Sequence, residues 1–450
     1  MGESVSRRYA RYTSLSVLSM IGLGLYYLAD TFFVANKIGT TGLAALNYSI
    51  PMYYVINGTG LLLGVGGATR FTIHKSRNET AEGNQVFTNM VVLGALISVA
   101  GIAAGWLFSG QMASFLGGTG EIHGMVSTNL RVLFTFTPCF IYNNILVAFM
   151  RNDNAPLFST VCMVTGTVTN IVLDYVFIYP LDMGIFGAAL ATGISPLVGM
   201  VMALMLYILP KKGTFRLCRC RLVPSLMLWC CGLGTSVFVG EISTSVVITV
   251  SNLVIFGLTG DVGVAAYGVI ANITCMVVAI FNGVVQGGQP LLSDYYARGM
   301  RREEHQTLRL CMFTSVALGA FFWAAALLFA PQITAAFNGD NNATMAAIAI
   351  PGMRIYFVGF LLSGVNMVFS QFFAAIERPQ PSMVVSLSRG LVVIVIMVLL
   401  LAHLWGMTGV WMSFPATEVV TFLLALAIYT WFKRRRGMQV KAADEKKGVQ

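Results

Sequence analysis

The stretch "LPKKGTFRLCRCRLVP", residues 209–224, interrupts an otherwise apolar chain near its midpoint. Hydrophobic residues make up 56% of the 450 residues and charged residues only 10%, against roughly 25% charged in an ordinary soluble domain. With a mean hydropathy of +0.76, this composition is typical of a polytopic membrane protein. A spanning helix needs about 20 apolar residues, so each side of the interruption has room for about six spans.

We therefore predict an all-α polytopic membrane protein whose twelve transmembrane helices form two six-helix lobes. The predicted parts are an amino-terminal lobe at 1–208, a cytoplasmic basic linker at 209–224, a carboxy-terminal lobe at 225–432 and a cytoplasmic basic tail at 433–450. Of the 28 Lys and Arg residues, 24 lie in the amino-terminal arm, the even-numbered loops or the tail. Under the positive-inside rule, both termini and the linker face the cytoplasm. The net charge of +10 therefore follows membrane topology, and we expect no nucleic-acid partner.

Three blocks of the first half recur in the second half at nearly equal spacing. The motif "GTTGLAAL" (39–46) aligns with "GDVGVAAY" (260–267), and this shift of 221 residues gives eight identities over 44 positions. A shift of 222 aligns "GIFG" (184–187) with "GMTG" (406–409), and a shift of 223 pairs Arg131, Asn143 and Phe149 with Arg354, Asn366 and Phe372. Because each shift spans six helices, the halves share one orientation and form a parallel internal repeat. Transporters with such repeats bind substrate between the halves.

Ionisable residues inside the apolar spans are functional candidates, because a charge at mid-bilayer costs at least about 2.5–3.5 kcal/mol. The second lobe supplies three of them. Glu241 lies near the middle of helix 7 and is a candidate cation site. Arg389 and Glu418, on helices 11 and 12, carry opposite charges and form either a structural pair or part of the cavity.

The first lobe contains a candidate coupling cluster. Asp30 on helix 1 and Asp174 on helix 5 lie at similar depth, and Asn170 shares the face of Asp174 one turn away. Thr192 returns to this depth on helix 6, and Asn144 on helix 4 is a deeper candidate. Two close carboxylates do not both ionise cheaply, so the pair can accept H⁺, and the same oxygens can ligate Na⁺. The competing interpretation is that these residues only join helices.

Other function classes lack their motifs in the sequence. There is no G-x-x-x-x-G-K-[ST] loop, no Ser/His/Asp or HExxH arrangement, and no cysteine or histidine spacing typical of metal sites. We therefore expect no enzymatic activity and no cofactor, and transport driven by an ion gradient.

Three segments resemble one known family, namely "ADTFFVANKIGTTGLAAL", "NIVLDYVFIYPLDMGIFGAALATGIS" (170–195) and "QGGQPLLSDYYARG" (286–299). Over residues 10–432 the chain is similar to multidrug and toxic compound extrusion (MATE) transporters, with details closest to the branch of DNA-damage-inducible and archaeal-type members. The resemblance implies two lobes around a central cavity and export coupled to inward H⁺ or Na⁺ flow. It places the amino-lobe cation site on the same five residues, Asp30, Asn144, Asn170, Asp174 and Thr192. It places a second-lobe carboxylate on Glu241, but the acidic partner that other branches carry on helix 10 is missing from residues 345–375.

The expected function is export of drugs, toxic organic cations or natural products by a cation-coupled antiporter. We expect a monomer in the cytoplasmic membrane of a prokaryote, with a cationic or amphipathic small molecule as substrate. The alternative within transport is a flippase of a lipid-linked precursor. A membrane receptor or intramembrane enzyme is less favoured, because no sizeable extramembrane domain is present.

Overall fold

The computed structural model describes residues 4–38, 40–116, 120–337 and 343–448, and within these ranges the chain is helical with no strand. The predicted tail continues as helix backbone to Gly448, whereas residues 449–450 and the tail side chains from 433 onward lie outside the described part.

The first lobe contains six helical segments that we label α1–α6. They are α1 (Val5–Lys37), α2 (Thr40–Ser76), α3 (Thr80–Phe115), α4 (Gly120–Thr135 and Thr137–Asn152), α5 (Pro156–Ile178) and α6 (Gly184–Ala203, continued by a π turn at Leu204–Ile208). The two arms of α4 are bent by 47°. Proline at the start of α5 suits a first helical turn, where its missing N–H would have no partner.

The second lobe repeats this arrangement as α7–α12. The segments are α7 (Pro224–Gly260), α8 (Val262–Ala297), α9 (Arg301–Phe337), α10 (Ala343–Ala375), α11 (379–405) and α12 (407–448). Two continuous helical stretches are broken by single glycines with left-handed backbone, Gly260 at φ 64° and Gly406 at φ 57°. Such φ values are accessible to glycine without steric cost. These breaks divide each long stretch into two spans.

The helix lengths agree with a polytopic membrane protein. Eight described helices are long and apolar enough to cross a membrane, or nine if the arms of α4 form one span. One of these, Pro379–Phe432, has 54 residues and contains the break at Gly406, so it crosses twice. With α1 and α2, of 33 and 37 residues, the predicted twelve-helix, two-lobe fold is confirmed.

The internal repeat is visible in the backbone conformation of the turns. Left-handed residues recur at the repeat spacings: Asn78 (φ 61°) with Gly299 (φ 69°), Asn154 (φ 64°) with Glu377 (φ 57°), and Gly184 (φ 57°) with Gly406 (φ 57°). These pairs are 221, 223 and 222 residues apart, as in the three sequence blocks. Gly39, the repeat partner of Gly260, lies outside the described residues. Both halves therefore turn at equivalent positions.

The linker is held against the first lobe by side chains of α3 and of the turn after α4. Buried Asp153 accepts hydrogen bonds from the Thr214 backbone N–H at 2.7 Å and the Tyr207 hydroxyl at 2.8 Å. Asn89 accepts one from the Val223 N–H at 2.9 Å. We call the end of the molecule that carries this linker the linker face.

Candidate functional site

Asp30 and Asp174 are brought together where α1 packs against α5. Asp30 is 7% exposed and Asp174 is 0% exposed, and the two carboxyl groups are close enough to interact electrostatically. Asn170, one turn before Asp174 on the same face of α5, is also fully buried. The structure therefore joins three of the five predicted first-lobe residues in one buried cluster.

Five polar atoms of this cluster have no hydrogen-bond partner among the residues that the structure describes. This holds for both carboxyl oxygens of Asp174, both amide atoms of Asn170 and Oδ1 of Asp30. Buried polar groups normally have hydrogen-bond partners, so a group of several unpartnered ones is a candidate binding site. Five such atoms in one place form an oxygen-rich cluster, and oxygen ligands are those that hard cations prefer.

Thr192 lies on α6, which packs along α5. The two helices touch closely at one point, where a Cβ added to Gly166 would lie 3.1 Å from the Ser195 carbonyl oxygen. One helical turn from that contact, toward the α5–α6 turn, lie Asn170 and half-buried Thr192. The depth that the sequence predicts for Thr192 therefore agrees with the packing of the two helices.

Asn144 contacts a different group, at the boundary between the lobes. Its Nδ2 donates to Oδ1 of Asn57 at 3.0 Å, and Nδ2 of Asn57 donates to Oε2 of Glu241 at 3.2 Å. The space for this contact comes from glycine: a Cβ added to Gly60 would lie 2.8 Å from the Asn144 amide nitrogen. Asn144 and Glu241, assigned to different lobes from sequence, thus belong to one polar chain.

Asn57 is the residue of this polar chain that was not predicted from sequence. It lies within the apolar run "YYVINGTGLLLG" (53–64) of α2, where an amide is an uncommon residue. An amide inside a span is a signal of the same kind as the carboxylates, because a polar group in hydrocarbon requires a partner.

Arg389 and Glu418 form an ion pair in the second lobe, in which Glu418 is buried and Arg389 is 20% exposed. Nε of Arg389 lies 2.8 Å from Oε1 of Glu418, and its Nη2 donates to the Ser363 hydroxyl at 2.7 Å. Asn366 completes the group by donating to Oε2 of Glu418 at 2.7 Å. A π turn at Ser388–Val392 carries Arg389. Glu418 is thus satisfied by protein groups, in contrast to the two carboxylates of the first lobe.

Metal clusters of the usual kind are not found in the described ranges, where no group of three or more His, Cys, Asp or Glu residues could hold a metal ion. Two adjacent carboxylates with a neighbouring amide, as in the first-lobe cluster, are groups that can take up a proton or ligate a hard cation.

Comparison with known proteins gives one family. The sequence model of the MatE family matches residues 16–176 and 236–399 of the chain. "Multidrug export protein MepA" of Staphylococcus saprophyticus is 25% identical over 415 residues, which cover 92% of this chain and 90% of that protein. The protein of the same name from Staphylococcus aureus is 23% identical over 409 residues, which cover 90% and 89%.

Solved structures of similar fold cover nearly the whole chain. An outward-facing multidrug resistance MATE family transporter of the MOP superfamily superimposes with a TM-score of 0.88 at 22% identity, covering 96% of this chain and 97% of that chain. A MOP superfamily transporter from Pyrococcus furiosus, described as having a binding pocket of reverse polarity, gives a TM-score of 0.87 at 21% identity, with coverage of 96% and 97%. At these identities the comparison shows a shared fold.

Proposed function

Because the chain belongs to the MatE family, whose model matches most of its length, we propose that it is a multidrug efflux antiporter. Membership confirms the resemblance drawn from the sequence motifs, and it makes the chain a transporter and not an enzyme. The assignment to the DNA-damage-inducible and archaeal-type branch stays a prediction. The names of the relatives, multidrug export proteins, support small-molecule export here.

The coupling ion, H⁺ or Na⁺, binds the Asp30/Asp174 cluster in this proposal. The observation that carries it is the set of five buried, unpartnered polar atoms on Asp30, Asn170 and Asp174. Either ion would remove the cost of leaving the two carboxylates charged and adjacent. Ion binding rearranges the first lobe, lowers the affinity for substrate, and returns the protein to its inward-facing state for ion release.

The substrate is proposed to be a cationic or amphipathic small molecule bound between the lobes. Glu241 lies at that boundary and accepts its hydrogen bond from a neutral amide, Asn57, so its charge is not neutralised by this partner. A flippase for a lipid-linked anionic precursor would instead need a free cation in the cavity. Arg389 is paired with Glu418 and is not free for an anionic group, whereas buried Arg151 donates to Gln286 and has no acidic partner among the described residues. The preference for the drug exporter therefore rests on the similarity to multidrug export proteins.

We place the protein in the cytoplasmic membrane of a prokaryote, with both termini and the linker face toward the cytoplasm. The basic residues of the linker and of the turns on that face support this orientation through the positive-inside rule. A monomer suffices, because one chain supplies both lobes.

Reconstituted vesicles test the proposal directly. Efflux of an ethidium-like cation is measured with a pH gradient or a Na⁺ gradient imposed separately, and one of the two is expected to drive it. Asp174→Asn should abolish gradient-driven efflux while the protein still inserts and purifies. Asp182→Asn is the matched control, because this nearby carboxylate is 76% exposed and pairs with Lys37 outside the cluster. Normal gradient-driven efflux by the Asp174→Asn variant would refute coupling at this site.

A further inference from the structure

The two lobes approach most closely near the linker face, through glycines related by the internal repeat. A Cβ added to Gly66 on α2 would lie 2.0 Å from the Cys230 carbonyl oxygen on α7. Its repeat partner Gly287, on α8, meets α1, and a Cβ there would lie 2.6 Å from Cα of Thr13. Backbone therefore meets backbone at two symmetry-related places.

The first turns of α1 and α7 insert into the opposite lobes. Tyr9, at the start of α1, is buried in the apolar cluster of the second lobe with Leu308 and Phe369. Cys230, 221 residues later at the start of α7, is buried in the cluster of the first lobe with Phe71. The linker face is thus closed by a reciprocal exchange of helix ends.

Polar contacts across the lobes lie at the same end. Gln289 of α8 accepts a hydrogen bond from Asn152 at 3.1 Å and donates one to the Thr69 hydroxyl at 2.7 Å, and all three side chains are buried. Nearer the surface, the Ser76 hydroxyl donates to Oδ1 of Asp294 at 2.7 Å.

One ion pair also joins the lobes here. Arg70 near the end of α2 pairs with Glu377 in the turn between α10 and α11, and the side chains are 25% and 15% exposed. Glu377 itself has a left-handed backbone conformation in that turn. Farther from the linker face the lobes are looser: a Cβ added to Gly24 of α1 would meet Met276 of α8 at 3.5 Å, an ordinary contact.

We propose that the Arg70–Glu377 pair is the latch of a gate on the linker face, which is shut in this structure and must open for access from the cytoplasm. This inference rests on the proposed transport function and its topology. The pair is partly exposed, so water can solvate both charges when they separate. The glycine contacts beneath it have no interlocking side chains, so opening separates backbone from backbone there and withdraws Tyr9 and Cys230 from the clusters of the opposite lobes.

Cys230 reports on the gate, because its thiol is buried in the first lobe and close enough to Arg70 and Glu377 to interact with their charges. The experiment uses the full-length purified protein, without substrate. A small thiol reagent is added, and modification of Cys230 is followed by fragment-ion mass spectrometry, which separates it from the adjacent Cys231. Cys218 in the linker serves as the internal reference for reagent activity.

Arg70→Glu places two acidic groups together, and Glu377→Arg places two basic groups together. Each reversal should raise the labelling rate of Cys230 by about fivefold or more, because a partly exposed attraction between the lobes becomes a repulsion and the open population increases. The double reversal Arg70→Glu/Glu377→Arg should return the rate close to that of the parent. Lys75→Gln is the control, since it breaks an ion pair to Asp153 inside the first lobe.

The proposal would be overturned if Cys230 were labelled at the parental rate in both single variants. It would also be overturned if Cys230 were labelled as fast in the double variant as in the single variants. If a reversal does not fold, Arg70→Gln tests the same point with a smaller expected increase. The labelling result is independent of export. A protein that shows the expected rates but moves no substrate would retain the gate and lose the proposed function.

Discussion

Asn57 donates a hydrogen bond from Nδ2 to Oε2 of Glu241 at 3.2 Å, and this contact joins the first lobe to the second. Because Asn144 donates in turn to Asn57, movement of either lobe relative to the other changes the surroundings of the Glu241 carboxylate.

Replacement of Asn57 by Ala should therefore slow export. Loss of one hydrogen bond to a charged group costs about 1.5–3 kcal/mol, which corresponds to roughly a tenfold or larger reduction in initial efflux rate if the contact forms in the slow step. Efflux from reconstituted vesicles measures the effect. Asn36→Ala is the matched control, because that exposed amide only donates to the Phe32 carbonyl oxygen of its own helix. Equal rates in the Asn57 and Asn36 variants would show that the interlobe contact plays no part in export.

Neutralising the buried carboxylate should not destabilise the protein. Asp174→Asn keeps the size of a side chain whose two oxygens accept no hydrogen bond from the described residues, and it removes a charge beside Asp30. We expect an unchanged or higher Tm in detergent, together with the loss of coupling described above. A fall in Tm by several degrees would indicate that Asp174 has a structural role instead.

The second-lobe ion pair should behave in the opposite way. Glu418→Leu leaves the partly buried Arg389 charge without its partner and should destabilise the protein by about 1–3 kcal/mol. The double variant Arg389→Met/Glu418→Leu should recover most of that loss, because no charge remains unpaired. Thermal unfolding of the parent, the Arg389→Met and Glu418→Leu single variants and the double variant gives the coupling free energy between the two side chains.

Arg298→Met is the reference for that cycle, since its pair with Asp294 is 49% exposed on the arginine side and should change stability by less than about 1 kcal/mol. Additive effects of the Arg389 and Glu418 substitutions would contradict a buried pair.

A methyl group at Gly66 should disturb the closed linker face. The added Cβ would lie 2.0 Å from the Cys230 carbonyl oxygen, so α2 and α7 must move apart, at a cost of about 1–3 kcal/mol. In the Gly66→Ala variant the thiol of Cys230 should be labelled faster than in the parent. The Gly287→Ala variant should also show faster labelling of Cys230, because its added Cβ pushes α1 and α8 apart. Gly240→Ala should label at the parental rate, because a Cβ added there would meet no atom within 4 Å. A parental labelling rate in both interface variants would refute the close packing.

The features that could be predicted from sequence are those set within one helix or between helices that are neighbours in the chain. Hydropathy and the basic loops located the twelve spans, and counting residues from the α5–α6 turn placed Asp174, Asn170 and Thr192 at one depth. The chain from Asn144 through Asn57 to Glu241 was not predictable in this way. It depends on how the lobes pack, and the packing is set by contacts between glycines and backbone atoms far apart in sequence, such as Gly66 with Cys230.

The exchange of helix ends has a consequence for synthesis and folding. The first-lobe apolar cluster near the linker face includes Cys230, and its second-lobe counterpart includes Tyr9, so each of these two clusters contains a side chain from the other half of the chain. The amino-terminal lobe cannot complete its core near the linker face until the ribosome has made the start of α7. Halves separated at the linker should therefore assemble only when they are produced together, because neither is an autonomous folding unit.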